Sequence, residues 1–247
     1  LRPAFMSVTY GAGGGTSQYT LDIAKNIKEL YGVPTLAHLS CVSSTKATVR
    51  EKIRQIREAG LSNVMALRGD IPAGRENEDR SGWDYRYAVD LIRELKESGA
   101  DFCIGGACYP EGHTECDSFT KDIQNLKIKV DAGCEFLTTQ MFFDNEKYFE
   151  FVRKAREMGI NIPIIPGIKP IHRMSQINIL PKTFNTDLPG ELTAELLRCK
   201  SDADAAIVGC EWCIKQCREL MERGVPSLHF YTINAIDSVY KTLAAIY

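Results

Sequence analysis

Short apolar runs alternate with amphipathic stretches from one end of this chain to the other, and that alternation most narrows the folds open to it. The runs occupy 5–10, 35–40, 63–67, 102–109, 136–143, 162–168 and 228–233. Each is brief and rich in apolar or small residues, as in parallel strands buried on both faces. The stretches 20–31, 47–59, 85–98, 117–132, 145–158 and 203–223 have helical periodicity. Ile23, Ile27 and Leu30 share one stripe, and Val49, Ile53 and Ile56 share another behind the candidate caps Ser44 and Thr45. Gly133, Gly159 and Gly224 follow helical patterns where a left-handed residue ends a helix. Strand and helix in strict alternation demand parallel pairing with right-handed crossovers. No linker or shift of composition interrupts 1–247, so one α/β domain is expected. Seven runs suit a doubly wound open sheet; a (β/α)8 TIM barrel needs an eighth strand. The pattern leaves both open.

Bulk properties exclude several roles. The formal net charge is -2, which provides no field to gather nucleic acid or an anionic membrane. No apolar run reaches the ~18 residues of a spanning helix, and no signal-peptide pattern is visible. The nine cysteines, at 41, 103, 108, 116, 134, 199, 210, 213 and 217, mostly sit in apolar segments. Their odd count points to reduced thiols and a cytoplasmic setting. Cys210, Cys213 and Cys217 have metal-like spacing but share one helical face with no second cysteine pair, so they read as core and no metal is expected.

Chemistry in either fold gathers at the carboxyl ends of the strands. There the chain places Thr9-Tyr10-Gly11-Ala12, His38, Arg68-Gly69-Asp70, Tyr109-Pro110-Glu111-Gly112-His113, Gln140, Lys169 and His229 to Asn234. Hydroxyls, carboxylates, imidazoles and amides recurring at one end suit a large polar ligand with rings. The glycines at 11 and 13–15 lack the spacing of a phosphate loop or a dinucleotide fold. His38 is either a core histidine or a ligand contact, and Arg68-Gly69-Asp70 either an internal ion pair or a site.

The strand-end motifs resemble the methylenetetrahydrofolate reductase family. Ser-Val-Thr-Tyr-Gly-Ala at 7–12, Ala-His-Leu-Ser-Cys at 37–41, Ala-Leu-Arg-Gly-Asp at 66–70 and Tyr-Pro-Glu-Gly-His at 109–113 carry the likeness. Leu-Lys-x-Lys-x-Asp-Ala-Gly at 126–133, Thr-Gln-x-Phe-Phe-Asp at 139–144, Ile-Pro-Gly-Ile-x-Pro at 165–170 and His-Phe-Tyr-Thr-x-Asn at 229–234 extend it across the chain. The resemblance implies a (β/α)8 barrel holding non-covalent FAD. It implies reduction of 5,10-methylenetetrahydrofolate to 5-methyltetrahydrofolate with NADH, NADPH or a protein electron donor, and a homo-oligomer. By position, it implies flavin contacts at Thr9, Tyr10, Ala12, His38, Arg68, Gly69, Asp70, Tyr87 and Ala88. It places the ribityl, phosphate and adenosine parts at Ala107, Tyr109, His113, Asp122, Asn125 and Lys129. Asp70 and Gln140 become catalytic and substrate-binding, and Gln176 a further substrate contact.

Three departures accompany the likeness. The family's first strand, Phe-Glu-Phe-Phe-Pro-Pro with a proton-donating glutamate, has no counterpart here. The opening at Leu1, with an apolar run beginning within a few residues, is read as truncation. Ala235 stands where bacterial relatives often have a substrate-contacting arginine, and Leu180 aligns with a stacking phenylalanine. The missing glutamate and Ala235 favour a second reading, a non-catalytic flavin- or folate-binding subunit of a larger redox complex. A third is another barrel enzyme acting on a phosphorylated metabolite.

Overall fold

The computed structural model describes residues 2–9, 17–71, 74–75, 78–80 and 82–247. It consists of two compact units, Leu1–Ala107 with Ile128–Phe136, and Cys108–Lys127 with Leu137–Tyr247. Seven strands and nine helices occur among the described residues, and no described helix is long and apolar enough to cross a membrane.

In the first unit, β1 (Met6–Val8), β2 (Thr35–Ser40), β3 (Asn63–Leu67) and β4 (Cys103–Cys108) pair in parallel and in chain order. Ala37 lies opposite Val64, and Val64 opposite Ile104, all within a few per cent of full burial. Helices α1 (Ser17–Tyr31), α2 (Lys46–Glu58) and α3 (Ala88–Glu97) make the crossovers. Thr45 caps α2, its hydroxyl accepting from Thr48 N at 3.2 Å, and Val49, Ile53 and Ile56 are buried as the periodicity predicts. Helix α3 begins three residues later than the expected 85. The Asp90 carboxylate accepts from the amides of Arg86 and Tyr87, both at 3.0 Å, and so fixes the first turn. Gly105 in β4 leaves room for the Phe136 ring, two of whose atoms would lie 2.7 and 2.9 Å from an added Cβ.

Helix α4 (Phe119–Asp131) and β5 (Phe136–Met141) follow. In the second unit β5, β6 (Ile164–Ile168) and β7 (His229–Phe230) pair in parallel, with a register shift between Thr138 and Met141. Helix α5 (Asn145–Glu157) has Asp144 as its cap, the carboxylate accepting from Glu146 N at 3.0 Å. Helix α8 (Asp202–Glu222) buries Cys210, Cys213 and Cys217 on one face with Gly209 and Leu220, so these cysteines are packing residues. A hydrogen bond with Cys213, then burial, pushes the Cys217 thiol up. Met141, Phe143, Ile171, Leu180, Leu192, Leu196 and Ala205 form one core cluster. Leu180 is therefore a core residue, 2% exposed.

Helices α6 (Gln176–Phe184), α7 (Gly190–Arg198) and α9 (Ile236–Ile246) were not expected from periodicity. Helix α6 carries Pro181 inside it, a residue that normally argues against helix. Helix α7 begins on the turn-like pair Pro189-Gly190. The buried face of α9 includes Ser238 and Thr242 rather than an apolar stripe.

Candidate active site

The first unit presents polar groups just beyond its strands. Thr9 follows β1, and its carbonyl accepts from the Thr20 hydroxyl at 3.1 Å. Tyr10 and Ala12 lie outside the described residues. His38 sits half-buried within β2, opposite Met65. Beyond β3, the Arg68 carbonyl accepts from the amides of Cys41 at 3.2 Å and Val42 at 2.7 Å. The Arg68 Nε donates to Gly69 O at 3.1 Å. Gly69 has φ +87°, and a Cβ there would lie 2.9 Å from Val42 Cγ1. Only glycine tolerates both the dihedral and the approach. These bonds clamp the turn after β3 onto the turn after β2 and leave the Asp70 side chain exposed.

Cys41 is a residue whose part the sequence reading did not single out. Fully buried, its thiol lies 3.9 Å from both Arg68 O and Tyr87 O, joining two strand-end turns to the start of α3. Burial, and then the charge of Asp90, pushes it up to about 12, so it is a structural thiol. Tyr87 itself is exposed, with Ala88 as the first helical residue. At the end of β4 the Ala107 carbonyl accepts from Lys129 Nζ at 2.6 Å, a bond that brings a cation from α4 to the strand end.

The second unit holds the rest. Tyr109 and His113 meet edge to face with centroids 4.6 Å apart. The Asp122 carboxylate accepts from His113 N at 3.1 Å and fastens that loop to α4, while Asn125 is exposed one turn further along. Glu111 also fixes the loop. Its Oε2 accepts from Lys147 Nζ at 2.8 Å and Asp187 N at 2.9 Å, and its carbonyl from Asn185 Nδ2 at 3.3 Å. Burial raises its pKa, partly offset by Lys147. The sequence had Glu111 inside a strand-end motif but gave no sign of these partners, which lie 36 to 76 residues away.

Gln140 and Gln176 share one arrangement. Gln140 Oε1 accepts from Met141 N at 3.0 Å. Gln176 Oε1 accepts from His172 N at 2.8 Å and Arg173 N at 3.0 Å. With each carboxamide oxygen held by backbone, the NH2 end remains to donate to a ligand acceptor. Tyr231 donates from its hydroxyl to Thr139 O at 2.8 Å across Gly167, and burial pushes its pKa up.

Burial pushes the imidazole of His229 down from the ordinary 6.5 to about 4. A base with a lowered folded pKa binds its proton more readily when unfolded. Stability should therefore fall as pH drops from 6.5 towards 4, by about 3 kcal/mol at the most. Thermal denaturation across that range checks this: His229→Gln should flatten the profile, and a wild-type profile already flat would contradict it.

A family model described as methylenetetrahydrofolate reductase matches residues 1–246. The chain is 38% identical over 241 residues to methylenetetrahydrofolate reductase 1 of Schizosaccharomyces pombe, covering 96% of this chain and 40% of that protein. It is 38% identical over 241 residues to 5,10-methylenetetrahydrofolate reductase of Salmonella typhimurium, covering 97% and 79%. In fold it is similar, with TM-score 0.60 and 12% identity, to a Clostridium thermocellum protein described as binding 5-methyl-5,6,7,8-tetrahydrofolic acid. That match covers 99% of this chain and 94% of the other. The chain thus spans less than half of the yeast relative and most of the bacterial one. On the family match from end to end, the chain belongs to the methylenetetrahydrofolate reductase family.

Proposed function

We propose that this protein reduces 5,10-methylenetetrahydrofolate to 5-methyltetrahydrofolate with electrons from NADH or NADPH, using non-covalent FAD on a (β/α)8 barrel. The observation that carries the reading is the family match over residues 1–246, together with polar groups at the strand ends. The residues suit FAD. The ammonium of Lys129 stands at the end of β4, where a pyrophosphate needs a cation.

Bound FAD supplies a carrier that accepts and returns a hydride. Thr9, Tyr10, Ala12, His38, Arg68, Gly69, Tyr87 and Ala88 would hold its ring. Ala107, Tyr109, His113, Asp122, Asn125 and Lys129 would hold the ribityl, phosphate and adenosine parts. Asp70 provides a carboxylate for the cationic iminium form of the folate. Gln140 donates its NH2 to a pterin acceptor, and Gln176 does the same for another part of the substrate. A homo-oligomer in the cytoplasm completes the proposal.

Heat release of cofactor from the purified protein tests the cofactor assignment. FAD at about one per chain is expected; FMN, or a colourless protein that does not take up FAD, would contradict it.

A further inference from the structure

Lys169 is the first residue after β6, and its side chain is 8% exposed. Among the described residues its ammonium makes no hydrogen bond and no ion pair. Burial pushes its pKa down, with no carboxylate among the described residues near enough to hold it up. Among the described residues, the ends of β5 and β7 offer no counter-charge either. Tyr231 N donates to Ile168 O at 2.8 Å, which sets Tyr231 beside Lys169, and the Tyr231 hydroxyl is already committed to Thr139 O. Gln140, near the end of β5, offers a neutral amide whose oxygen is taken. The next cationic groups along the chain are His172 and Arg173, and the charge of Lys169 helps lower the pKa of His172. A lysine side chain so largely buried, with no anion for its ammonium among the described residues, is costly, and folds that keep one generally use it.

We propose that Lys169 is an anion anchor, and that carboxylate or phosphate oxygens of a ligand lying over the ends of β5, β6 and β7 supply its missing counter-charge. Only the choice of ligand rests on the proposed function. Under that reading the anions are the glutamyl carboxylates of the folate or the phosphates of the pyridine nucleotide. Lys169 would then be a binding residue that sorts ligands by charge.

The experiment compares wild type, Lys169→Met and Lys169→Arg as purified holoenzymes. Without ligand, Lys169→Met should melt a few degrees higher, roughly the shift expected on relieving one uncompensated charge in a chain of this size. Inorganic pyrophosphate should raise the melting temperature of wild type and of Lys169→Arg but not of Lys169→Met. Two ligand pairs then identify the source: 5-methyltetrahydrofolate against the neutral amide of 5-methyltetrahydropteroic acid, in which a carboxamide stands where the glutamate was attached, and NADH against reduced nicotinamide riboside, which lacks phosphate. In one pair Lys169→Met should weaken the anionic member at least tenfold and leave the other within twofold, and Lys169→Arg should restore most of the loss. Equal losses for both members of a pair, or no loss for either anion, would overturn the anchor. If wild type binds neither folate nor nucleotide, the proposed function fails, and the pyrophosphate comparison still decides the role of Lys169.

Discussion

Asp70→Asn is expected to keep its FAD and to slow reoxidation by methylenetetrahydrofolate on the order of 10²-fold, the usual cost of removing one charge-stabilising group. Asp70 stands exposed at the end of β3, and its position is set by backbone rather than by its own side chain. The two amides that grip Arg68 O, and a Gly69 that cannot carry a Cβ, hold the turn whatever residue follows. Asparagine should therefore preserve the turn and remove only the charge. The folate becomes cationic as its five-membered ring opens to the iminium, and a carboxylate favours that form over the closed ring. Single-turnover rates of wild type and variant with the reduced enzyme measure the effect. An unchanged rate would remove Asp70 from the reaction; loss of FAD would make it a cofactor residue instead.

Gly209→Ala is expected to destabilise the fold by about 3 kcal/mol, the range for overpacking a tight interior. In an open helix the same change would stabilise by roughly 1 kcal/mol, since alanine is the better helix former. The sign reverses because α8 lies directly on the turn after β6. An added Cβ would press into the Ile171 carbonyl oxygen and lie 2.7 Å from the Ile171 carbonyl carbon. Backbone cannot rotate aside as a side chain can. Ile171 and Ala205 belong to one core cluster, so displacement of α8 opens that cluster as well. Lys169 and His172 flank Ile171 on the same turn, and ligand binding should weaken alongside stability. Chemical denaturation measures the change; a variant as stable as wild type would mean that the helix and the turn are not so closely pressed.

The strands were legible because buried parallel strands are nearly all apolar. Two of them, β2 and β3, have the bounds expected from the sequence. The last run is shorter than expected, with β7 ending at Phe230. Tyr231 still donates to Ile168 O, but the chain then turns: Ala235 N bonds back to Thr232 O and Asn234 takes φ +55°. Nothing in the apolar run 228–233 announces that turn. Helices α6, α7 and α9 were illegible for a related reason: a proline, a Pro-Gly start and a polar buried face each hide the helical period.

Site residues divide in the same way. Residue type and position at a strand end were readable for Arg68-Gly69-Asp70 and for Gln140. Partners distant in the chain were not. The carboxylate of Glu111 joins Lys147 and Asp187, and the thiol of Cys41 joins Arg68 and Tyr87. Lys169 was visible as a letter after an apolar run, but its burial and its lack of a counter-charge among the described residues are properties of the fold alone.

The most direct measurement of the central claim is an anaerobic pair of half-reactions on the FAD-bound protein. NADH or NADPH should bleach the flavin absorbance, and methylenetetrahydrofolate added afterwards should restore it with formation of one 5-methyltetrahydrofolate per flavin. Bleaching with no return on addition of the folate would contradict the proposed reaction.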